Sequence, residues 1–400
     1  MADQEYIVLR RQNPMVPEAD NLGTRRRGAG GLRGFAVEPE TLEIEQAALT
    51  KAERDDLRRD PRTRAIAPPM PLKLIEPTES EEAAPAEAPN QTWGVRAVHA
   101  ADSPFTGDGI TVAVLDTGID PNHPAFQGVD LVRRNFTQEG DDDRNGHGTH
   151  CAGTIFGQDV NNLRIGVARN VRRALIGKVL GAGGGSSAGL AEAIQWAVNE
   201  GAHVVSMSLG IDFPGFVKFL VERRGLEVEP ATSMALEAYR ANVNLFTELA
   251  DFVQARGAFA QGTVIVAASG NESDRPNFEI AVAPPAAGTG IIAVGALRQS
   301  ANGFAVADFS NDQVNLSAPG VNVVSAFPGQ GLRALNGTSM ATPHVAGVAA
   351  LWAQKLREET GRVDNLVLTS QLIASGDRAP LVAGSQPDDV GTGIVQAPLQ

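Results

Sequence analysis

Ile110-Thr-Val-Ala-Val-Leu-Asp116 is an apolar run that ends abruptly on a carboxylate. A strand apolar at successive positions buries both of its faces, and such strands belong to parallel sheets covered by helices on either side. Short apolar runs of the same kind occupy residues 204–209, 263–268 and 291–296. Between them, residues 148–156 and 187–200 have the small-residue composition and length of helices. This alternation predicts an α/β fold built on a parallel sheet, with ligand and catalytic groups at the C-terminal ends of its strands.

Three stretches place reactive groups at such ends. Val114-Leu-Asp116-Thr-Gly-Ile-Asp120 delivers Asp116 from the strand and releases the chain at Gly118. Asn145-Gly-His147-Gly-Thr-His150-Cys-Ala-Gly153 sets His147 at the start of a small-residue helix. Asn336-Gly-Thr-Ser-Met-Ala-Thr-Pro-His344 runs into the apolar helix Val345-Ala-Gly-Val-Ala-Ala-Leu351, with Thr338 expected as N-cap and Pro343 in the first turn. Ser339 then lies at a helix N-terminus, where backbone N–H groups favour negative charge. A serine hydroxyl attacks a carbonyl only with a base beside it and donors for the oxyanion it creates. An acid that orients, an imidazole that takes the proton and a hydroxyl that attacks meet that need.

The order Asp, His, Ser is that of subtilisin, and residues from about 92 to 400 resemble a subtilisin-type serine endopeptidase (a subtilase). The resemblance implies a three-layer α/β/α fold with a mostly parallel central sheet, and hydrolysis of peptide bonds through an acyl-enzyme. It assigns Asp116 as the group that orients the imidazole, His147 as general base and acid, and Ser339 as nucleophile. Val266-Ala-Ala-Ser-Gly-Asn271 resembles the family's strand-to-loop that supplies an oxyanion amide, so Asn271 joins the catalytic set and Ala268 and Gly270 the substrate-binding one. Ser208, Leu209 and Gly210 match the strand that lies against the substrate backbone, and Gly183, Gly184 and Gly185 match the opposing edge. A peptide held between them would bind by strand addition. Cys151 resembles the cysteine of the thiol-containing, proteinase K-like branch.

The N-terminal region is organised differently. Residues 6–11 read as a strand, Arg25-Arg26-Arg27 as a solvated turn, Thr50-Lys-Ala-Glu53 as a capping box opening a helix to about Arg59, and 63–66 and 71–75 as extended pieces. This small α+β unit, residues 1–75, resembles the family's pro-region, which plugs the cleft with its C-terminal tail; its loop-rich middle is off-pattern. Residues 76–91 read as an acidic Ala/Pro/Glu linker with little to bury.

Composition narrows the partners. With 34 Lys+Arg against 47 Asp+Glu the net charge is −13, which argues against nucleic acid and anionic membrane. A 42% hydrophobic content supports a sizeable core. The one cysteine excludes an internal disulfide framework, and Met1-Ala-Asp-Gln-Glu has no secretory n-region or h-region, so a cytoplasmic enzyme is expected. The expected partners are a polypeptide substrate and the chain's own pro-region as intramolecular inhibitor.

Several features carry two readings. Asp120 is a second carboxylate or a turn residue, and His147 with His150 is a zinc pair or two histidines without a third ligand. His123 and His344 read as structural. No cofactor is required for the chemistry. Asp141-Asp-Asp143 is a calcium loop or an exposed acidic loop, and the family's stronger calcium site uses an aspartate where this chain has Ala125. Residues 211–262 are longer than the resemblance to the family implies at this place and so read as an insertion, with Met234, Ala238, Ala241, Leu245, Leu249 and Phe252 at helical spacing. It walls the cleft or packs away from it. A transpeptidase or macrocyclase, in which an amine replaces water, is the rival activity; a non-catalytic peptide-binding protein is the other.

Overall fold

The computed structural model describes residues 4–12, 41–76, 90–257 and 260–400. The N-terminal unit contains β1 (Gln4–Gln12), β2 (Thr41–Leu49), α1 (Lys51–Leu57), β3 (Thr63–Ala67) and β4 (Pro71–Leu74). Strand β1 lies between β2 and β3, antiparallel to both. The capping box forms in full: Thr50 accepts from the Glu53 N–H, and the Glu53 carboxylate accepts from the Thr50 N–H. Yet α1 has no buried residue. Most of the unit's buried side chains, among them Ile7, Leu9, Leu42, Ala65 and Ala67, join a core cluster built mostly from the body of the protein. The unit is therefore folded onto that body rather than around a core of its own. The Arg25–Arg27 turn and the linker from 77 to 89 lie outside the described residues.

The body begins earlier than composition suggested. Asn90 and Gln91, grouped with the linker by sequence, are pinned against Arg164, whose N–H donates to Asn90 O at 2.9 Å. The elements then follow as α2 (Trp93–Ala97), β5 (Thr111–Asp116), β6 (Asp130–Asn135), α3 (His147–Phe156), β7 (Arg173–Lys178), β8 (Gly185–Ser186), α4 (Ser187–Asn199), β9 (Val204–Met207) and β10 (Leu209–Ile211). The insertion supplies α5 (Phe213–Arg224) and α6 (Val228–Gly257). Completing the chain are β11 (Val264–Ala268), β12 (Ile292–Ser300), β13 (Gly303–Val306), β14 (Leu316–Pro319), β15 (Val323–Phe327), β16 (Gly331–Leu335), α7 (Thr338–Thr360), α8 (Asn365–Ala374) and α9 (Pro387–Val390).

The central sheet has eight strands in the order β13-β12-β11-β9-β5-β7-β6, with β14 also beside β12. Every pairing is parallel except β12 with β13. Strand β5 explains why its run is apolar throughout. Val112 and Val114 pack with α3 and α7 on one face, while Ala113 and Leu115 pack with α4 and α6 on the other. The architecture is thus three layers, α/β/α, with the mostly parallel sheet in the middle.

Two local expectations are corrected. The face of α6 that is buried runs through Ala231, Ala235, Ala238, Asn242, Leu245, Leu249 and Val253, and Met234 is 43% exposed. A large apolar residue at the edge of the stripe had pulled the expected face round the helix. At the C-terminus, residues 388–395 read in sequence as a turn and a closing strand, but they form the short helix α9 followed by isolated bridges of Ile394 to Ser317 and Asp377.

Candidate active site

Strand β5 ends at Asp116, and α3 starts at His147 across from it. His147 Nδ1 lies 2.8 Å from Asp116 Oδ1, which also accepts from the Thr117 N–H at 2.7 Å. Both side chains are buried. The close approach depends on Gly148, where an added Cβ would stand 2.2 Å from Gly118 O. Gly148→Ala must push α3 away from the end of β5 and carry His147 with it. We expect a stability loss of about 1–3 kcal/mol, read from the urea unfolding midpoint; a midpoint equal to that of the parent protein would show the loop yields freely.

The loop before His147 is held from inside. Asp143 Oδ1 accepts from Thr117 Oγ1, Asn145 N and Gly146 N, and its Oδ2 accepts from Thr149 N and Thr149 Oγ1. Lys178 donates to Gly140 O and Asp142 O, each at 2.7 Å. Both oxygens of Asp143 are thus committed to protein donors, and an ammonium already sits on two of the loop carbonyls. Residues 141–143 do not fit a calcium ion, which takes six or more oxygens.

The N-cap of α7 lies one residue earlier than expected. Gly337 is the N-cap and, having no side chain, makes no side-chain cap bond; Thr338 is already helical, and its hydroxyl donates to Asn271 Oδ1 at 2.8 Å. Pro343 accordingly lies inside the helix rather than in its first turn. Its missing N–H would have bonded the carbonyl four residues back, that of Ser339. That oxygen accepts instead from Ser208 Oγ at 3.1 Å and from the Cys151 thiol at 3.4 Å. Cys151 is therefore a packed donor under the serine, and burial raises its pKa above the usual thiol value. The ligand atoms of Asp116, His147 and Cys151 lie within 4.8 Å of one another. With the acid and imidazole bonded together and the thiol kept protonated, this group does not fit a metal either.

The neighbouring histidines have structural partners. His150 Nε2 bonds Val323 O at 3.0 Å, and burial followed by repulsion from His147 lowers its pKa to about 3. His344 Nδ1 bonds Met340 O, with its pKa lowered to about 4 by burial. His123 Nε2 bonds Gly331 O at 2.9 Å. Asp120 accepts from Asn122 N and Gly329 N, as a turn residue does.

The cleft in front of these groups is filled by the chain's own β4. This strand lies between β10 and β8, antiparallel to both, with Leu74 opposite Leu209, Lys73 opposite Gly210 and Leu72 opposite Gly185. Of the three glycines expected at the far edge, Gly184 and Gly185 meet the tail. A Cβ at Gly184, whose φ is +83°, would stand 2.5 Å from Leu72 O, whereas Gly183 faces open space. Ile75 is buried above Gly210. Its carbonyl accepts from Ser339 Oγ at 3.1 Å, and that hydroxyl also lies 3.3 Å from Ser208 O. His147 Nε2, turned away from Asp116, has no hydrogen-bond partner among the described residues. Asn271 Nδ2 donates to Glu76 O at 3.1 Å, one residue beyond Ile75. Ala268 and Gly270 shape the turn that carries Asn271, with Gly270 N donating to Thr338 Oγ1.

The insertion touches both the tail and the N-terminal unit. Asp212 N donates to Pro71 O, Asn242 Nδ2 to Pro68 O, and Arg64 pairs with Glu248. Its first residues meet the tail in the cleft, and α6 meets the N-terminal unit. The insertion is not remote.

Comparison with known proteins matches residues 107–375 to the Subtilase family. The chain belongs to the subtilase family. Among its relatives, an alkaline protease from Alkalihalobacillus alcalophilus is 34% identical over 324 residues, covering 79% of this chain and 70% of the relative. Subtilisin Savinase from Lederbergia lenta is 37% identical over 271 residues, 66% of this chain and 84% of the relative. Alkaline elastase YaB from Bacillus sp. (strain YaB) is 40% identical over 270 residues, 66% and 60% respectively. This subtilase is a serine-type endopeptidase acting on polypeptides, of a family made as zymogens, and its relatives do not favour the transpeptidase alternative. Subtilases need no cofactor for catalysis. No helix among the described residues is long and apolar enough to cross a membrane.

The cytoplasmic expectation is corrected. The subtilase's relatives are secreted alkaline proteases, which points to secretion. The cysteine count misled because this fold is held by its buried core and needs no cross-link, so one thiol carries no information about compartment.

Proposed function

We propose that Ser339 is the nucleophile of this endopeptidase, His147 its general base and acid, and Asp116 the carboxylate that orients and stabilises the imidazolium. Ser339 Oγ attacks the peptide carbonyl carbon while its proton passes to His147 Nε2; the C–N bond then breaks as that proton moves to the leaving amine. Water, deprotonated by the same imidazole, releases the acyl group from Ser339. Asn271 Nδ2 and the Ser339 N–H are the oxyanion donors. Ser208–Gly210 and Gly184–Gly185 hold the substrate as an added strand.

Residues 1–75 act as an inhibitory pro-region, joined by the acidic linker to the catalytic domain, which begins at Asn90 and carries its insertion at 211–262. The observation that carries this reading is the docking of β4 between β8 and β10, with Ile75 O on the Ser339 hydroxyl. Ile75–Glu76 is then the bond placed for self-cleavage. A fluorophosphonate, which reacts only with an activated serine, tests the scheme on the full chain. The parent should label slowly and Ser339→Ala not at all. Leu72→Asp, which puts a charge at a buried position of the tail, should speed labelling by about 10². Absence of labelling in both parent and Leu72→Asp, with both folded, would remove the nucleophile assignment. Equal rapid labelling of both would remove the inhibitory role of the tail.

A further inference from the structure

Lys73 is the third residue back along the tail, counting Ile75 as the first. Its ammonium stands between two carboxylates from different parts of the cleft, 3.4 Å from Asp212 Oδ1 and 3.3 Å from Glu272 Oε1. Each carboxylate also has a partner outside the tail. Asp212 caps α5, accepting from the Gly215 N–H at 3.1 Å. Glu272 follows Asn271, and its Oε2 accepts from Asn311 Nδ2 at 2.8 Å, which leaves Oε1 free to face the tail. Burial alone would lower the pKa of the Lys73 ammonium, yet the two carboxylates carry it above the ordinary lysine value.

We propose that Asp212 and Glu272 form an acidic subsite that takes a lysine or arginine side chain at the third residue upstream of the scissile bond. The inference rests on the reading that β4 occupies the cleft as a substrate does. A polypeptide in the same strand register opposite Gly210 presents its third side chain to the same two carboxylates. The insertion thereby contributes a selective group, since Asp212 stands at its start. Acidic residues at that position meet like charge and are disfavoured.

The test uses the full chain and three fluorogenic peptides, Pro-Leu-Xaa-Leu-Ile with Xaa as Lys, Ala or Glu, cleaved in competition in one tube. The ratio of kcat/KM between competing peptides does not depend on what fraction of the enzyme is free of its tail. Two half-exposed ion pairs should favour the Lys peptide over the Ala peptide by about threefold to tenfold, with the Glu peptide slowest and the preference shrinking as salt rises. Asp212→Asn keeps a helix cap and Glu272→Gln keeps the bond from Asn311, so both preserve the local fold while removing charge. The double variant should bring the three peptides close to parity. Cleavage of all three at equal rates by the parent would overturn the subsite and leave the protease reading standing. Cleavage of none, with no fluorophosphonate labelling, would overturn the cleft assignment and the subsite with it.

Discussion

Replacing Asp116 by asparagine is expected to lower kcat about 10⁴-fold with little change in KM. The carboxylate accepts from His147 Nδ1 at 2.8 Å, and the Thr117 N–H holds the accepting oxygen in place. An amide at the same position can turn its NH₂ towards the ring, which leaves the proton on Nε2 and blocks the nitrogen that must take the serine proton. The pH profile distinguishes this from mere misfolding. Burial opposes charging of His147, but Asp116 overrides it and holds the imidazole pKa well above its ordinary value. Cys151 contributes little there, because burial keeps its thiol protonated. Activity needs the neutral imidazole, so a raised pKa moves the acid limb of kcat/KM to higher pH than a free imidazole would give. In Asp116→Asn the attraction is gone, burial remains, and the limb moves down. A variant with undiminished kcat, or one whose acid limb stays where the parent's lies, would take Asp116 out of the mechanism.

The sheet and the reactive stretches were legible because they are local. Strand β5 is apolar at every interior position, and the turns after Asp116, before His147 and before Ser339 are written in glycines and small polar residues within a few positions. What stayed hidden depends on distant partners. Strand β2 reads as loop because the alternation Leu42-Glu43-Ile44-Glu45 is short and only Leu42 of its nine residues is buried. Strand β7 opens on Arg173 and closes on Lys178, whose ammonium finds loop carbonyls that no local pattern foretells. Thr338 looked like a cap because its chemistry suits one, yet the Asn271 amide from another strand end claims its hydroxyl. The pairing of Lys73 with Asp212 and Glu272 was invisible for the same reason: it exists only once β4 is set in register against β10.

Truncating Asn271 to alanine is expected to lower kcat by about 10²–10³ and to leave KM nearly unchanged. An oxyanion donor helps only if the correct end of the amide faces the cleft, and here that choice is made by Thr338. Its N–H and hydroxyl both donate to Asn271 Oδ1, at 2.9 and 2.8 Å, which leaves Nδ2 no direction but the tail. With the tail in place Nδ2 holds Glu76 O rather than Ile75 O. On the proposed mechanism it becomes available to a tetrahedral oxygen only when the tail shifts or leaves, so its bond contributes to the transition state and hardly to ground-state binding. Two further variants separate donation from shape. Asn271→Asp keeps the acceptor for Thr338 but sets a negative charge beside a developing oxyanion, and should lose more than the alanine variant. Thr338→Val leaves the amide in place but loosens its aim, and should lose about tenfold in kcat. If the aspartate variant retained more activity than the alanine one, Asn271 would be acting through the position of Thr338 and α7, and the oxyanion would have to be held by backbone donors alone.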